Sequence, residues 1–290
     1  MRFVIEPDVQ AFEHRGLAWM ERDPLLNTLP ATIARSVMAG LSAGDSAPPV
    51  WITIESDDQQ PIGAAVRTPP RNMVVPAVPT ELARALAEFT FDRSVGEDLP
   101  GVNGPVETAR AFADRWAELT GCDVRTETNL RLYRLDRLDP PTDPGGAWRL
   151  ATRDDGDLCF GWFEAFGAET TRSAQLPERR DVLARVDGRR LGLWQVDGRP
   201  VSLAGWTVPA SGVVRVGPVY TPPEQRGRGY GTAATAAATA GILSAGAQPC
   251  LFTDLSNPTS NSIYQRIGYR AVTDCVELAF EQAQLVTPRT

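Results

Sequence analysis

Between Val216 and Thr232 the chain changes local character twice, and this stretch limits what the sequence can fold into. A β-branched run ends in Val219-Tyr220-Thr221, Pro222 and Pro223 stop it, and glycines follow at 227, 229 and 231. From Thr232 to Ala240 the residues are all alanine or threonine, which predicts a helix. Strand, glycine loop and helix together aim unpaired backbone N–H groups and the positive end of a helix dipole at one point, a place suited to an anion. The spacing Arg226-x-x-Gly229-x-Gly231 lacks the Lys-Ser/Thr pair of the P-loop and the three-glycine spacing of the dinucleotide loop. The same glycines would serve a tight strand-to-helix turn, so ligand binding and plain geometry both stay open on this stretch alone.

The clearest interruption elsewhere is Asp139-Pro140-Pro141-Thr142-Asp143-Pro144-Gly145-Gly146. Pro and Gly block regular structure there, and 290 residues suit two domains of ordinary size. The expected division is a domain of residues 1–138, a linker of 139–146 and a domain of 147–290. In the second half, strands are expected over 148–152, 191–196, 200–208, 213–221, 250–255, 269–272 and 275–280. Helices are expected over Asp154 to Phe166, over Pro177 to Val186, after the glycine loop and over Asn261 to Ile267. Asp197-Gly198 and Ser211-Gly212 between apolar runs are hairpin signals. The order is β-α-α-β-β-β-α-β-α-β-β.

The first half opens with a helix that Asp8 is placed to cap, carrying Val9, Phe12, Leu17 and Met20 on one face. A second helix is expected over Ala31 to Leu41 after a break at Pro30, then strands over 50–55, 61–67 and 73–78. Helices from Thr80 and after the strand end and turn Leu99 to Pro105 follow, the latter carrying Phe112 and Trp116 and stopped by Gly121. Strands over 124–128 and 130–135 close the half. Its order, α-α-β-β-β-α-β-α-β-β, repeats that of the second half with Val75-Pro76-Ala77-Val78-Pro79 where the glycine loop should be.

A net charge of −7 and a pI near 5.0 argue against a non-specific nucleic-acid binder, which needs a basic face. Four scattered cysteines without metal-ligand spacing, no secretory leader at Met1-Arg2-Phe3 and no apolar run of membrane length predict a cytoplasmic protein with reduced thiols and no metal. With a single histidine, His14, a multi-histidine metal site is excluded and a His-based triad is disfavoured. Every other basic residue is arginine, a composition that reads as the codon bias of a GC-rich bacterial genome.

The glycine loop resembles the pyrophosphate loop of the GNAT acyltransferase superfamily, whose pattern is Arg/Gln-x-x-Gly-x-Gly/Ala. A second segment, Asn257-Pro258-Thr259-Ser260-Asn261-Ser262-Ile263-Tyr264-Gln265-Arg266-Ile267-Gly268-Tyr269, resembles that superfamily's Asn…Tyr-x-x-x-Gly-Phe/Tyr motif. The resemblance implies an α/β (α+β) fold of two GNAT-like domains, each a mixed, mostly antiparallel sheet flanked by helices, the first a degenerate copy. It implies acetyl-CoA as co-substrate, held by Val219, Tyr220 and Thr221 and by Arg226, Gly227, Arg228, Gly229, Tyr230, Gly231 and Thr232. Asn257, Ser260, Ser262 and Tyr264 would complete that site, with Asn257 on the pantetheine amide. Tyr264 would act as general acid toward the leaving thiolate, and the Val219 amide would meet the oxyanion.

An amine acceptor must lose a proton, and Glu164, Asp254 and Tyr220 are the candidate bases, with Glu164 preferred. No serine or cysteine stands in a nucleophile setting, so direct attack on a small-molecule or peptide amine in a ternary complex is expected. A catalytically silent acyl-CoA-binding regulatory protein remains the alternative. No nucleic-acid or membrane partner is expected, and the chain is read as a monomer or homodimer.

Overall fold

The computed structural model describes residues 1–41, 47–93, 95, 98–170 and 178–281. The chain divides into two compact units, Met1–Ala34, Ala43–Leu130 and Asp274–Thr290 in one, and Arg35–Ser42 and Arg131–Thr273 in the other.

Chain order begins with β1 (Arg2–Glu6), α1 (Val9–Phe12), a π-helical turn Glu13–Leu17, α2 (Ala18–Met20) and α3 (Thr28–Met38). Next come β2 (Val50–Glu55), β3 (Pro61–Arg67), β4 (Met73–Val74), α4 (Thr80–Asp92), β5 (Gly101–Pro105), α5 (Val106–Thr120) and β6 (Asp123–Leu135). The remainder is β7 (Ala147–Leu150), α6 (Gly156–Thr170), α7 (Arg179–Asp187), β8 (Leu191–Val196), β9 (Arg199–Trp206) and β10 (Val213–Tyr220), then α8 (Tyr230–Ser244), β11 (Gln248–Asp254), α9 (Pro258–Arg266) and β12 (Tyr269–Glu281). Pro177, expected to open a helix, lies outside the described residues.

In the first unit the strands run β1-β2-β3-β4-β5 and then the C-terminal half of β12. Strand β1, which no local pattern announces, pairs antiparallel with β2 from Arg2↔Glu55 to Glu6↔Trp51. Asp8 caps α1 as expected, accepting from the Ala11 amide at 2.8 Å. Helix α3 starts at Thr28 and takes Pro30 into its first turn, where a missing N–H costs nothing. The expected strand 73–78 shrinks to two residues because Pro76 and Pro79 cannot donate to a ladder.

The segment Leu99 to Pro105, read as a strand end and turn, is strand β5 from Gly101 on. It pairs antiparallel with β12, Ala279↔Gly101 to Cys275↔Pro105, and parallel with β4 at Met73↔Val102 and Val74↔Asn103. Its glycines permit the close fit. A Cβ on Gly104 would lie 2.5 Å from the Val75 carbonyl oxygen. Val75 is fully buried and its amide donates to Asn103 O at 2.9 Å, so this parallel pair is shut by direct packing. Ile52, Ile54, Met73, Leu86, Val102 and Phe112 fill the core.

In the second unit the order is β12-β6-β11-β10-β9-β8-β7. Alternation along β9 puts Leu203 against Phe163 of α6 and Val182 of α7, and Ala204 against Ala234 and Ala238 of α8. Thus α6 and α7 cover one face and α8 the other. Helix α8 is apolar on every side, consistent with its burial, and its small residues bring it close to the sheet. Two expected pairs of strands are single strands, β6 and β12.

Replacing Gly104 by Ala forces a methyl group against the Val75 carbonyl. The first unit's denaturation midpoint should fall by the equivalent of roughly 1–3 kcal/mol, the usual range for overpacking. Urea titration followed by tryptophan fluorescence measures it, and an unchanged midpoint would contradict the tight packing of β4 on β5.

Candidate functional site

Strand β10 is held differently along its length. Val213, Val214 and Arg215 pair in parallel with Gln248, Pro249 and Cys250 of β11, and the register stops there. Beyond that point both strands continue but no longer pair with each other. On its other edge β10 pairs antiparallel with β9, with a shift of register between Val216↔Trp206 and Val219↔Ala204. Such a bulge re-aims the residues that follow it. Pro218 has no N–H to give to either neighbour. Val219 and Tyr264 both pack against the cluster of Val214, Val216, Leu251, Ile267 and Tyr269. Tyr220 points to the opposite face, 6.1 Å from the Trp162 ring of α6.

The loop after β10 ends at Gly229, the N-cap of α8, with φ of +85°, and Gly227 has φ of +76°. Both values lie in the left-handed region that favours glycine. No side chain caps α8. The first helical bond at its start runs from Ala233 N to Gly229 O at 3.0 Å, so the amides of Tyr230, Gly231 and Thr232 precede any helical acceptor. Helix α9 differs, since Asn257 caps it by accepting from the Ser260 amide at 3.0 Å. The start of α8 therefore offers donors that no side chain among the described residues caps, a place suited to an anion. Glycine at 231 also leaves room for Thr221, whose Oγ1 would lie 3.0 Å from a Cβ there. Ser202 fixes the exit of β10, donating to Tyr220 O at 3.0 Å and meeting Thr221 Oγ1 at 2.9 Å.

Arg226 is turned across the loop. Its Nε donates to Thr221 O at 2.9 Å, its Nη2 reaches both Glu169 carboxylate oxygens at 2.7 and 2.6 Å, and its guanidinium stands 5.8 Å from the Tyr220 ring centroid. The Glu169 carboxylate raises the Arg226 pKa further. Arg228 is exposed and Thr232 half-buried. Glu169 and Ser202 carry no signal in the sequence, because their partners lie far along the chain and leave no local pattern.

The Tyr264 ring meets Tyr269 edge-on at 6.2 Å, and Tyr269 in turn pairs its hydroxyl with Thr239 Oγ1 of α8 at 2.7 Å. Although the Tyr264 side chain is only partly buried, dense packing around its hydroxyl pushes its pKa up to about 12, with a hydrogen bond to Ser260 acting the other way. The phenol is therefore protonated at neutral pH. Ser260 and Tyr264 share one face of α9.

Ser262 faces elsewhere, into a cleft of about 570 Å³ with Arg131, Tyr133, Leu255, Asn261 and Gln265. There the Tyr133 hydroxyl donates to Asn261 Oδ1 at 3.1 Å and accepts from Gln265 Nε2 at 3.0 Å. Glu164 is exposed on α6, away from Phe163, which enters the core. Asp254 uses Oδ1 to accept from the Ser256 amide at 2.7 Å. Burial, and then Glu169, raise the Tyr220 pKa, which disfavours the phenolate a base would need. Among the described residues no group of three His, Cys, Asp or Glu could hold a metal, and no helix is long and apolar enough to cross a membrane.

Residues 190–278 match the model of the family described as FR47-like protein. No curated protein matches the chain in sequence. A GCN5-related N-acetyltransferase from Sphaerobacter thermophilus superposes with a TM-score of 0.64 at 16% identity, covering 97% of this chain and 95% of that one. A tandem GNAT protein from the clavulanic acid biosynthesis pathway gives 0.60 at 14% identity, covering 99% of each chain. The chain has the GNAT fold. A GCN5-related N-acetyltransferase from Kribbella flavida, 23% identical with a TM-score of 0.53, covers 89% of this chain and 97% of its own. The GNAT fold thus extends over both units, as the resemblance of the motifs implied.

Because burial favours the neutral phenol, Tyr264 should add no phenolate absorbance at 295 nm near pH 10, where a free tyrosine is half ionised. Folding stability from this group is complete below about pH 10 and is lost as pH rises through about 12. Difference titration of the protein against Tyr264→Phe checks this, and a difference developing below pH 10.5 would contradict the packing described (~0.5 unit above the free value).

Proposed function

We propose that the chain is an N-acetyltransferase that moves an acetyl group from acetyl-CoA to the amine of a small-molecule or peptide acceptor. The observation that carries this reading is the parting of β10 from β11 beyond Arg215 and Cys250, directly ahead of the uncapped start of α8. Free strand edges at that gap suit pantetheine, a chain of amides that hydrogen-bonds as a strand does. The amides of Tyr230, Gly231 and Thr232, with the glycines at 227 and 229, take the pyrophosphate. Arg226 either exchanges Glu169 for a phosphate or holds the loop in shape through Thr221 O.

In a ternary complex the Val219 amide stabilises the charge that grows on the thioester oxygen as the amine attacks. A C–N bond forms, and the C–S bond then breaks. Tyr264 gives its proton to the departing sulfur, since a neutral thiol leaves an apolar site more readily than a bare thiolate. The proton of the attacking amine passes to water, with Glu164 or Asp254 as its eventual acceptor. Val219 and Tyr264 suit these roles because both pack on one apolar cluster at the gap.

Acetyl-CoA and free CoA should each raise the melting temperature of the full chain, and Gly229→Asp should abolish that shift by setting a carboxylate among the helix-start amides. No stabilisation of the wild type by any CoA species would overturn the reading. Tyr264→Phe should keep the shift but slow thiol release over an amine panel by roughly 10²–10⁴-fold, the usual worth of a positioned general acid. Binding without thiol release for every amine would leave an acyl-CoA-binding protein instead.

A further inference from the structure

The face of the opened strand covered by α6 and α7 carries charge that the transfer steps do not use. Arg185 leaves α7 and reaches the bulge, its Nη1 donating to Trp206 O at 3.1 Å and to Gly217 O at 3.4 Å. Its guanidinium lies 5.7 Å from the Phe163 ring centroid. Arg215 precedes Gly217 by two residues on β10 and lies 6.0 Å from the Phe252 ring of β11. Arg190 is half-buried beside them, donating through Nη2 to Ala184 O at 3.1 Å. Burial first, and then repulsion from Arg190 and Arg215, hold the Arg185 pKa down to about 10.

Among the described residues no carboxylate lies within ion-pair distance of Arg185 or Arg190. Asp181, one turn back on α7, is the acidic residue felt by Arg185, and its Oδ2 is engaged by the Glu178 amide at 3.1 Å. No hydrogen bond among the described residues takes Nε or Nη2 of Arg185. Two half-buried cations without an opposite charge disfavour folding, and such arrangements mark places where an external group completes the pairing. The guanidinium fork matches carboxylate and phosphate oxygens in particular.

We propose that Arg185 and Arg190, with Arg215 beside them, form a subsite for the anionic group, carboxylate or phosphate, of the amine acceptor. This rests on the acetyl-transfer reading: with α8 and Tyr264 on one face and the thioester in the gap, the acceptor enters from the face that the arginines line. The subsite lies against the bulge itself, so an acceptor anchored there by its charge holds its amine near the reacting carbon.

Titration calorimetry of the full chain, with and without free CoA, tests this with glycine against glycinamide and phosphoethanolamine against ethanolamine. The anionic member of at least one pair should bind tenfold or more tighter than its neutral counterpart, and the pair that responds tells carboxylate from phosphate (about tenfold for each hydrogen bond to a charged group). Arg185→Gln and Arg190→Gln should each remove that preference. Arg190→Gln leaves the hydrogen bonds of Arg185 to the bulge in place, so its acetyl-CoA shift should match the wild type. Equal binding within both pairs, a preference surviving both substitutions, or disappearance of the acetyl-CoA shift in Arg190→Gln would each overturn the subsite. An anion preference that depends on both arginines in a protein giving no CoA response would uphold the subsite and sink acetyl transfer.

Discussion

A β-strand can satisfy its backbone on two sides, and β10 gives up one of them half-way along. Three residues pair with β11 and the next five do not, while the bulge opposite β9 takes Gly217 and Pro218 out of register. Unpaired backbone inside a sheet is costly unless something else supplies its partners. The remaining features of the second unit follow from that gap: a loop that needs glycines at its far end, a helix that starts without a cap, and a tyrosine on the wall.

The two units handle the same place in opposite ways. In the first, β4 is two residues long and Val75 presses on Gly104, so the parallel pair is closed by packing. In the second, the corresponding strands stay long and diverge. One arrangement stabilises a core and the other preserves a slot, which is a sufficient physical reason for finding the glycine loop beside only one of them.

Much of this is legible in local spacing. The loop from Arg226 to Gly231, the cap at Asp8 and the element order of the second half all rest on residues close in sequence, where turn chemistry and helix starts obey short-range rules. Strands β6 and β12 each look like two in the sequence because alternation fails. Leu132 and Tyr133 are neighbours and both buried, as happens when a strand is covered on both faces. Ser262 and Tyr264 sit in one motif yet face different ways, since two steps along a helix turn a side chain to nearly the opposite side. Glu169, Ser202 and Arg185 are silent in sequence because each meets its partner only after the sheet has brought distant segments together.

The Thr239–Tyr269 hydroxyl pair has a wider consequence. Helix α8 meets the sheet mainly through short side chains, with Ile242 packed in the core and the Thr239–Tyr269 hydrogen bond fixing its seat. The same Tyr269 ring supports Tyr264 from the side. Helix α8 and the Tyr264 ring are thus referred to a common anchor. A single aromatic ring sets the span between them, and any shift of the helix is carried to Tyr264.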